Sequence, residues 1–170
     1  MNSLQVIYSW NKKESDKGTR HRYIEFYGGL LWHKRHSPVN LLEIGIAQGG
    51  SLKMWSEYFT HQDTKIIGVD IVKCPVKFED KRVTIIQKDA TVPFDGLPGL
   101  DFVIDDASHK LAHQAASFKW LYPLLKQNGA YSIEDIQDSF AHAELMKLHD
   151  FETYEFGQVF DDIIMLGRKN

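Results

Sequence analysis

Apolar and polar positions along this chain fall into blocks, and the period changes from block to block. The segments Val39 to Ile46, Lys65 to Ile71, Val83 to Gln87, Phe102 to Asp105 and Ala130 to Ile133 are short and mostly apolar, which predicts strands buried on both faces. Between them the period lengthens. Ser51 to Tyr58 sets Leu52, Trp55 and Tyr58 at helical spacing, and Leu111 to Leu125 predicts a longer helix. His21 to His36 carries Tyr23, Phe26, Tyr27, Leu30 and Leu31 at the same spacing and predicts the first helix. Gly28-Gly29 weakens it by about 1 kcal/mol per glycine, and Ser37-Pro38 ends it. Polar Asn11 to Arg20 precedes it as a loop, and Asp95 to Pro98 is a turn-rich loop. Phe140 to Leu148 predicts a short helix. Glu152 to Phe156 and Ile163 to Leu166, joined by Gly157 to Asp161, predict an antiparallel hairpin. Strand–helix units followed by a hairpin predict an α/β fold. Its form is a Rossmann-like three-layer sandwich around a mainly parallel seven-stranded sheet with a C-terminal antiparallel hairpin.

Two of the predicted strands run into acidic clusters, Asp105-Asp106-Ala107-Ser108-His109 and Glu134-Asp135. In an open α/β sheet ligands sit outside the carboxyl ends of the strands, so both runs deliver carboxylates, and one histidine, to the same edge. Carboxylates at one point repel unless something positive joins them, and a hard divalent cation such as Mg²⁺ suits oxygen ligands. The histidine beside it is a candidate to take a proton.

A second candidate site lies at Leu41-Leu42-Glu43-Ile44-Gly45-Ile46-Ala47-Gln48-Gly49-Gly50-Ser51, a strand that enters a glycine-rich turn and then a helix. Glycines let a ligand approach the backbone closely, the helix N-terminus offers free N–H groups, and Ser51 is the expected N-cap. Asp70 ends the next strand, where a carboxylate accepts hydrogen bonds from ribose hydroxyls. Asp89 ends the third strand, within reach of a base. A strand-end surface carboxylate is the plain alternative for Asp70. The chain has no G-x-G-x-x-G spacing and little room for a separate substrate domain, which argues against a dinucleotide.

With 170 residues, 43% hydrophobic and 25% charged, the chain reads as a single domain over 1–170, with 1–36 covering the cofactor site. The net charge of −3 gives no support to nucleic-acid binding. A lone Cys74 excludes an internal disulfide and fits a reducing compartment, with a passive thiol. No apolar stretch approaches the roughly 20 residues of a membrane span, and Met1 to Lys13 lacks the order of a signal peptide. The expectation is a cytoplasmic protein with neither membrane nor nucleic-acid partner. Aromatic surface on the first helix is compatible with a homo-oligomer.

These motifs together resemble class I S-adenosylmethionine-dependent methyltransferases. Within them the chain resembles most the metal-dependent sugar O-methyltransferases of macrolide biosynthesis (the mycinamicin type) and their cephalosporin-hydroxylase-like relatives. The resemblance runs through Leu42-Glu43-Ile44-Gly45, Gly50-Ser51-Leu52-Lys53-Met54-Trp55, Gly68-Val69-Asp70-Ile71, Ile104-Asp105-Asp106, Ser108-His109 and Ile133-Glu134-Asp135. Upstream, Asp16-Lys17-Gly18-Thr19, His21, Tyr23 and Tyr27 resemble the segment that precedes this domain in such enzymes. It implies S-adenosyl-L-methionine and Mg²⁺ as cofactors. Gly45, Gly49 and Gly50 would line the methionine part, Asp70 would hold the ribose and Asp89 would lie near the adenine. Glu43, Ser51, Ile71, Ala90, Asp105 and Lys17 would complete the cofactor site, with Asp16-Lys17 as a lid. Asp106, Glu134 and Asp135 would hold the metal, with Asp106 also counted in the catalytic machinery, and His109 would be the general base. Ala107 departs from the usual glycine.

The implied reaction is methyl transfer to a hydroxyl of a sugar or other small-molecule acceptor, with a neutral-to-alkaline optimum and loss of rate on chelation. A metal-independent transfer to nitrogen or another acceptor, and a non-catalytic cofactor-binding module, are the alternatives. Residue by residue, His109 could instead cap the following helix, and His113 is the substitute base. Asp105 is the alternative to Asp106 at the metal, and Glu134-Asp135 could be a solvated strand end. Tyr23 and Tyr27 could be helix core or line the cofactor entrance, and Lys17 could lie in a solvated loop. Asp138 reads as a helix start and Asp161-Asp162 as an exposed hairpin turn. Phe118, Trp120, Leu121 and Tyr122 read as core.

Overall fold

The structure is a computed structural model that describes residues 3–11, 14–145, 151–157 and 161–169. Seven strands form one sheet: β1 (Asn40–Ile44), β2 (Lys65–Asp70), β3 (Val83–Gln87), β4 (Leu100–Asp105), β5 (Leu125–Ile133), β6 (Phe151–Glu155) and β7 (Ile163–Arg168). Their order across the sheet is β3-β2-β1-β4-β5-β7-β6. The pairs from β3 through β5 are parallel, and β7 runs antiparallel to both β5 and β6. The expected mainly parallel sheet with one reversed strand, in a C-terminal hairpin, is therefore present. Two apolar layers pack on opposite faces of the sheet, one around Leu41, Trp55, Phe102 and Ile104, the other around Leu42, Val103, Phe118 and Tyr131. The alternation of Leu41 and Leu42 between them is the two-residue period of a strand buried on both sides.

The helices are α1 (Ser3–Asn11), α2 (Tyr23–Leu31), α3 (Gly50–Tyr58), α4 (Leu111–Leu121) and α5 (Ser139–Leu145). Sequence periodicity placed the first helix at His21, but α1 precedes it, burying Leu4, Ile7, Tyr8 and Asn11 on one face. The predicted His21–His36 helix is α2 followed by a 3₁₀ turn over Trp32–Lys34. Leu111 to Leu125 is likewise divided, with a 3₁₀ turn at Tyr122–Leu124 where Pro123 cannot continue the α-helical ladder. β5 begins at Leu125, earlier than expected, and its register with β4 shifts between Leu100 and Phe102. The predicted helix over Phe140 to Leu148 starts one residue earlier, at Ser139, and its end from 146 to 148 lies outside the described residues, as do 158–160 of the hairpin loop. Asp138 Oδ1 accepts the Ala141 N–H at 2.9 Å and so starts α5 as expected.

Ser51 is not the cap of α3. The cap is Gly49, in the left-handed region at φ 81°, and Ser51 lies inside the first turn, buried, with its hydroxyl hydrogen-bonded to Glu43. The glycine turns the chain where a side-chain cap would otherwise hold it. Phe118, Leu121 and Tyr122 are core, and Trp120 donates from Nε1 to the Ala90 carbonyl oxygen at 2.8 Å.

Candidate active site

The chain reverses its direction across the sheet between β1 and β4, and the crevice at such a switch point opens at the carboxyl ends of the strands. The ladder continues a step past those ends. Gly45 N–H donates to Val69 O, Asp106 N–H to Ile44 O and Glu134 N–H to Asp105 O, each at 2.9 Å. Three motifs far apart in sequence are thereby fixed in register along one edge. Gly45 sits at φ 80°, and a Cβ there would lie 2.2 Å from the Asp106 carbonyl oxygen, so only glycine fits.

A cleft of about 380 Å³ opens at this edge, within the size range of small-molecule sites. Its lining includes Gly45, Asp70, Ile71, Asp89, Ala90 and Asp105 from the sequence-predicted cofactor set. Glu43, Gly49, Gly50, Ser51 and Lys17 do not line it. A Cβ on Gly50 would lie 1.6 Å from the Glu14 carbonyl oxygen, so the N-terminal segment rests directly on the glycine turn. Asp70 serves that turn as well as the cleft: Oδ2 accepts Ile46 N–H at 3.0 Å and Ala47 N–H at 3.1 Å, and Oδ1 accepts Val72 N–H at 2.9 Å. Hydrogen bonds from the Thr91 hydroxyl and N–H hold the Asp89 carboxyl below the usual carboxylate range. Asp105 is buried on the cleft floor, accepts the Tyr131 hydroxyl at 3.1 Å, and is pushed up to about 7 by its burial. His113 also lines the cleft, with Nδ1 2.8 Å from Ser108 Oγ, and stands apart from the acidic cluster.

The acidic cluster adjoins the cleft through Asp106, which lies between the lining residues Asp105 and Ala107. Asp106, His109 and Asp135 offer ligand atoms that all lie within 4.8 Å of one another. The two carboxylates suit a divalent ion, and the imidazole stands beside them. His109 Nε2 is 3.6 Å from Asp135 Oδ2, and its Nδ1 is buried without a hydrogen-bond partner. His109 and Asp135 both hold positive φ, 53° and 56°, which turns their side chains toward each other across the two strand ends. Burial pushes Asp135 up, against the hydrogen bond it accepts from the Tyr23 hydroxyl at 2.7 Å. Glu134 is fully buried rather than solvated. Its Oε1 accepts the Tyr27 hydroxyl at 2.5 Å and its Oε2 accepts from Lys17 Nζ at 2.7 Å, so both oxygens are engaged away from the Asp106–His109–Asp135 group.

Lys17 is the residue whose position the sequence concealed most. It is buried, 1% exposed, rather than part of a solvated loop or an open lid. Burial alone would lower its pKa, but the carboxylates of Asp106, Glu134 and Glu43 outweigh it and hold the ammonium well above its ordinary value. Tyr23 and Tyr27 are core by burial, yet both end on carboxylates of the cluster. Asp162 corrects another expectation: it is buried, and its Oδ1 lies 3.2 Å from Nδ1 of His21, whose ring stacks on Tyr23. Asp161 is closer to the surface, with Arg20 at 3.4 Å. Trp55, read as inward, also donates from Nε1 to Glu43 Oε2 at 3.1 Å.

Comparison with proteins of known structure sets this edge in context. The mycinamycin-pathway methyltransferase MycE, solved with Mg, SAH and mycinamycin VI, superposes with a TM-score of 0.74 over 98% of this chain and 54% of its own, at 24% identity. The fold is shared with that methyltransferase. In sequence, the chain is 37% identical over 140 residues to the 8-demethyl-8-(2-methoxy-alpha-L-rhamnosyl)-tetracenomycin-C 3'-O-methyltransferase of Streptomyces olivaceus, covering 74% of this chain and 35% of that protein. It is 32% identical over 136 residues to the mycinamicin VI 2''-O-methyltransferase of Micromonospora griseorubida, covering 72% of this chain and 33% of that protein. The resemblance to macrolide-type sugar O-methyltransferases is thus borne out. The chain spans about a third of the length of the curated relatives it matches. No family model matches the chain. Among the described residues no helix is long and apolar enough to cross a membrane.

Proposed function

We propose that the chain is an S-adenosylmethionine-dependent methyltransferase domain that transfers a methyl group to a hydroxyl of a sugar or other hydroxylated small molecule, with a divalent ion, Mg²⁺, at the acidic cluster. The observation that carries this reading is adjacency. The cleft lined by Gly45, Asp70, Asp89 and Asp105 ends at Asp106, whose carboxylate faces His109 and Asp135. Nucleoside-type recognition and proton-accepting chemistry meet at one edge. The similarity to sugar O-methyltransferases supports the choice of acceptor.

In this reading Asp70 and Ile71 take the ribose and Asp89 and Ala90 the base, while Gly45 lets the backbone reach the methionine portion. Glu43, Gly49, Gly50 and Ser51 support the turn from behind, and residues 3–11 and 14–36 cover the site. S-adenosylmethionine supplies a methyl carbon on a sulfonium. With it bound, an acceptor oxygen would take the methyl carbon while the C–S electron pair stays on sulfur, and His109 Nε2 would accept the proton that the acceptor loses. Asp135, 3.6 Å from that nitrogen, steadies the imidazolium that results. Asp106 and Asp135, with Glu134 behind them, would hold the metal, which lowers the pKa of a nearby hydroxyl and fixes its position. Alignment of acceptor, methyl and sulfur accounts for much of the rate.

A second reading is favoured by Lys17, whose ammonium already neutralises part of the cluster. In it, transfer proceeds without a metal. Calorimetric titration with S-adenosylmethionine and with MgCl₂, on the parent, Asp70→Ala and Asp106→Ala, separates the readings. Cofactor binding lost in Asp70→Ala and Mg²⁺ binding lost in Asp106→Ala supports the first. Cofactor binding without Mg²⁺ binding supports the second. No cofactor binding overturns both.

A further inference from the structure

A lysine ammonium with almost no exposure is rare, because a buried charge must be compensated where it lies. Lys17 Nζ is 2.5 Å from Asp106 Oδ2, 2.7 Å from Glu134 Oε2 and 3.3 Å from Glu43 Oε1. The Glu43 oxygen is itself buried with no hydrogen-bond partner, so the nearby charge is its compensation. These carboxylates come from β1, from the turn after β4 and from the end of β5, and Lys17 joins them from a segment that rests on the glycine turn through Glu14. Asp106 is shared: one of its oxygens is held by Lys17, while the same carboxylate belongs to the group with His109 and Asp135.

We propose that Lys17 is a resident counter-cation of the acidic cluster, and that by sharing Asp106 it sets how tightly the neighbouring divalent-ion site holds its ion. The inference rests on the proposed ion site and gives that site a specific regulator. The chain supplies one positive charge on the inner side of the cluster, and the ion supplies the other on the side facing the cleft. An ion bound to Asp106 lies a few ångströms from the ammonium. The repulsion between a divalent ion and a unit charge at such a distance is worth about tenfold in affinity even at the dielectric of water. Lys17 thus holds the cluster together without metal while limiting metal affinity. Because it is a positioning residue, its removal is expected to tighten ion binding, an effect that mere loss of packing does not produce.

The test titrates MgCl₂ into the metal-stripped parent, Lys17→Gln and Lys17→Arg, with thermal midpoints recorded with and without Mg²⁺. Lys17→Gln keeps hydrogen-bond donors and loses the charge. It is expected to bind Mg²⁺ at least about tenfold more tightly, to melt lower than the parent without metal, and to gain more from Mg²⁺ than the parent does. Lys17→Arg keeps the parent's affinity. If the parent binds Mg²⁺ and Lys17→Gln binds no more tightly, the Lys17 inference is overturned and the ion site stands. If only Lys17→Gln binds, the native ion site is refuted and the lysine is shown to occupy the cation's place. If neither binds, both fall. Should Lys17→Gln fail to fold without metal, recovery of its circular dichroism by Mg²⁺ supports the inference, and failure to recover overturns it.

Discussion

Tyr27→Phe probes the scaffold behind the acidic cluster, because it removes a single oxygen from a fully packed site. The Tyr27 side chain is 1% exposed. Its hydroxyl donates to Glu134 Oε1 at 2.5 Å and lies 3.0 Å from Ser132 Oγ, and burial keeps the phenol protonated as a donor. The phenylalanine ring retains the edge contacts with Phe26 and Trp55, at 5.0 and 5.5 Å between centroids. The loss is therefore the hydrogen bond to Glu134, the weaker one with Ser132, and the desolvation of the carboxylate oxygen left behind. Hydrogen bonds to a charged group contribute about 1.5–3 kcal/mol, and a change of about 2 kcal/mol lowers the melting temperature of a chain this size by about 4–8 °C. Urea unfolding in chelator, followed by circular dichroism, should show a lower midpoint with an unchanged slope. Tyr154→Phe, whose hydroxyl meets Glu152 at the surface, is the control and should change stability by less than about 0.5 kcal/mol. If Tyr27→Phe behaves like that control, Glu134 does not depend on Tyr27 and the account of a scaffold holding the cluster is refuted.

Two further predictions concern the cleft. Burial raises Asp105 to about 7 in the folded protein, against about 3.9 for an exposed aspartate. The folded state then binds more protons than the unfolded one between those values. Its contribution is full below about pH 4 and lost as pH rises through about 7, with a slope of at most ~1.4 kcal/mol per pH unit. Asp105→Asn should flatten the stability–pH curve of the metal-free protein between pH 4.5 and 8.5, and parallel curves would disprove the assignment. His109→Ala should lower the rate of methyl transfer by about 10²–10⁴-fold while leaving cofactor affinity intact; an equal loss of affinity in calorimetry would make His109 a binding group instead of a base.

The sheet and one edge of the site were legible because buried parallel strands are short apolar runs, and because the acids end those runs. Asp70, Asp89, Asp105 and Asp106 stand where the register of β1, β2, β3 and β4 puts them. The cap of α3 was misread because a serine after two glycines has the form of a cap, whereas Gly49 at φ 81° already turns the chain. Helix α1 carries Leu4, Ile7 and Tyr8 at helical spacing, but the exposed Trp10 blurs the stripe, and no acidic residue in the first turn marks its start. Its burial against α2 and α3 is what forms it. Lys17 and Asp162 were illegible for a different reason. A charged side chain in a polar stretch looks solvated, and only partners 117 and 141 residues distant reveal that it is buried.

Those separations bear on when the site can exist at all. Lys17 meets Glu134, Tyr27 meets Glu134 and His21 meets Asp162, so these early residues wait for partners more than 100 positions later. While the ribosome is still making β5, the carboxylates of β1 and β4 have no ammonium beside them, and α1 and α2 have only part of their sheet to cover. Contacts of such long range form late and slowly. A nascent chain cut short before Asp162 would keep its nucleoside-facing strands and its acidic cluster yet lack the partner of His21, so the wall beside Asp135 would close after the cluster itself.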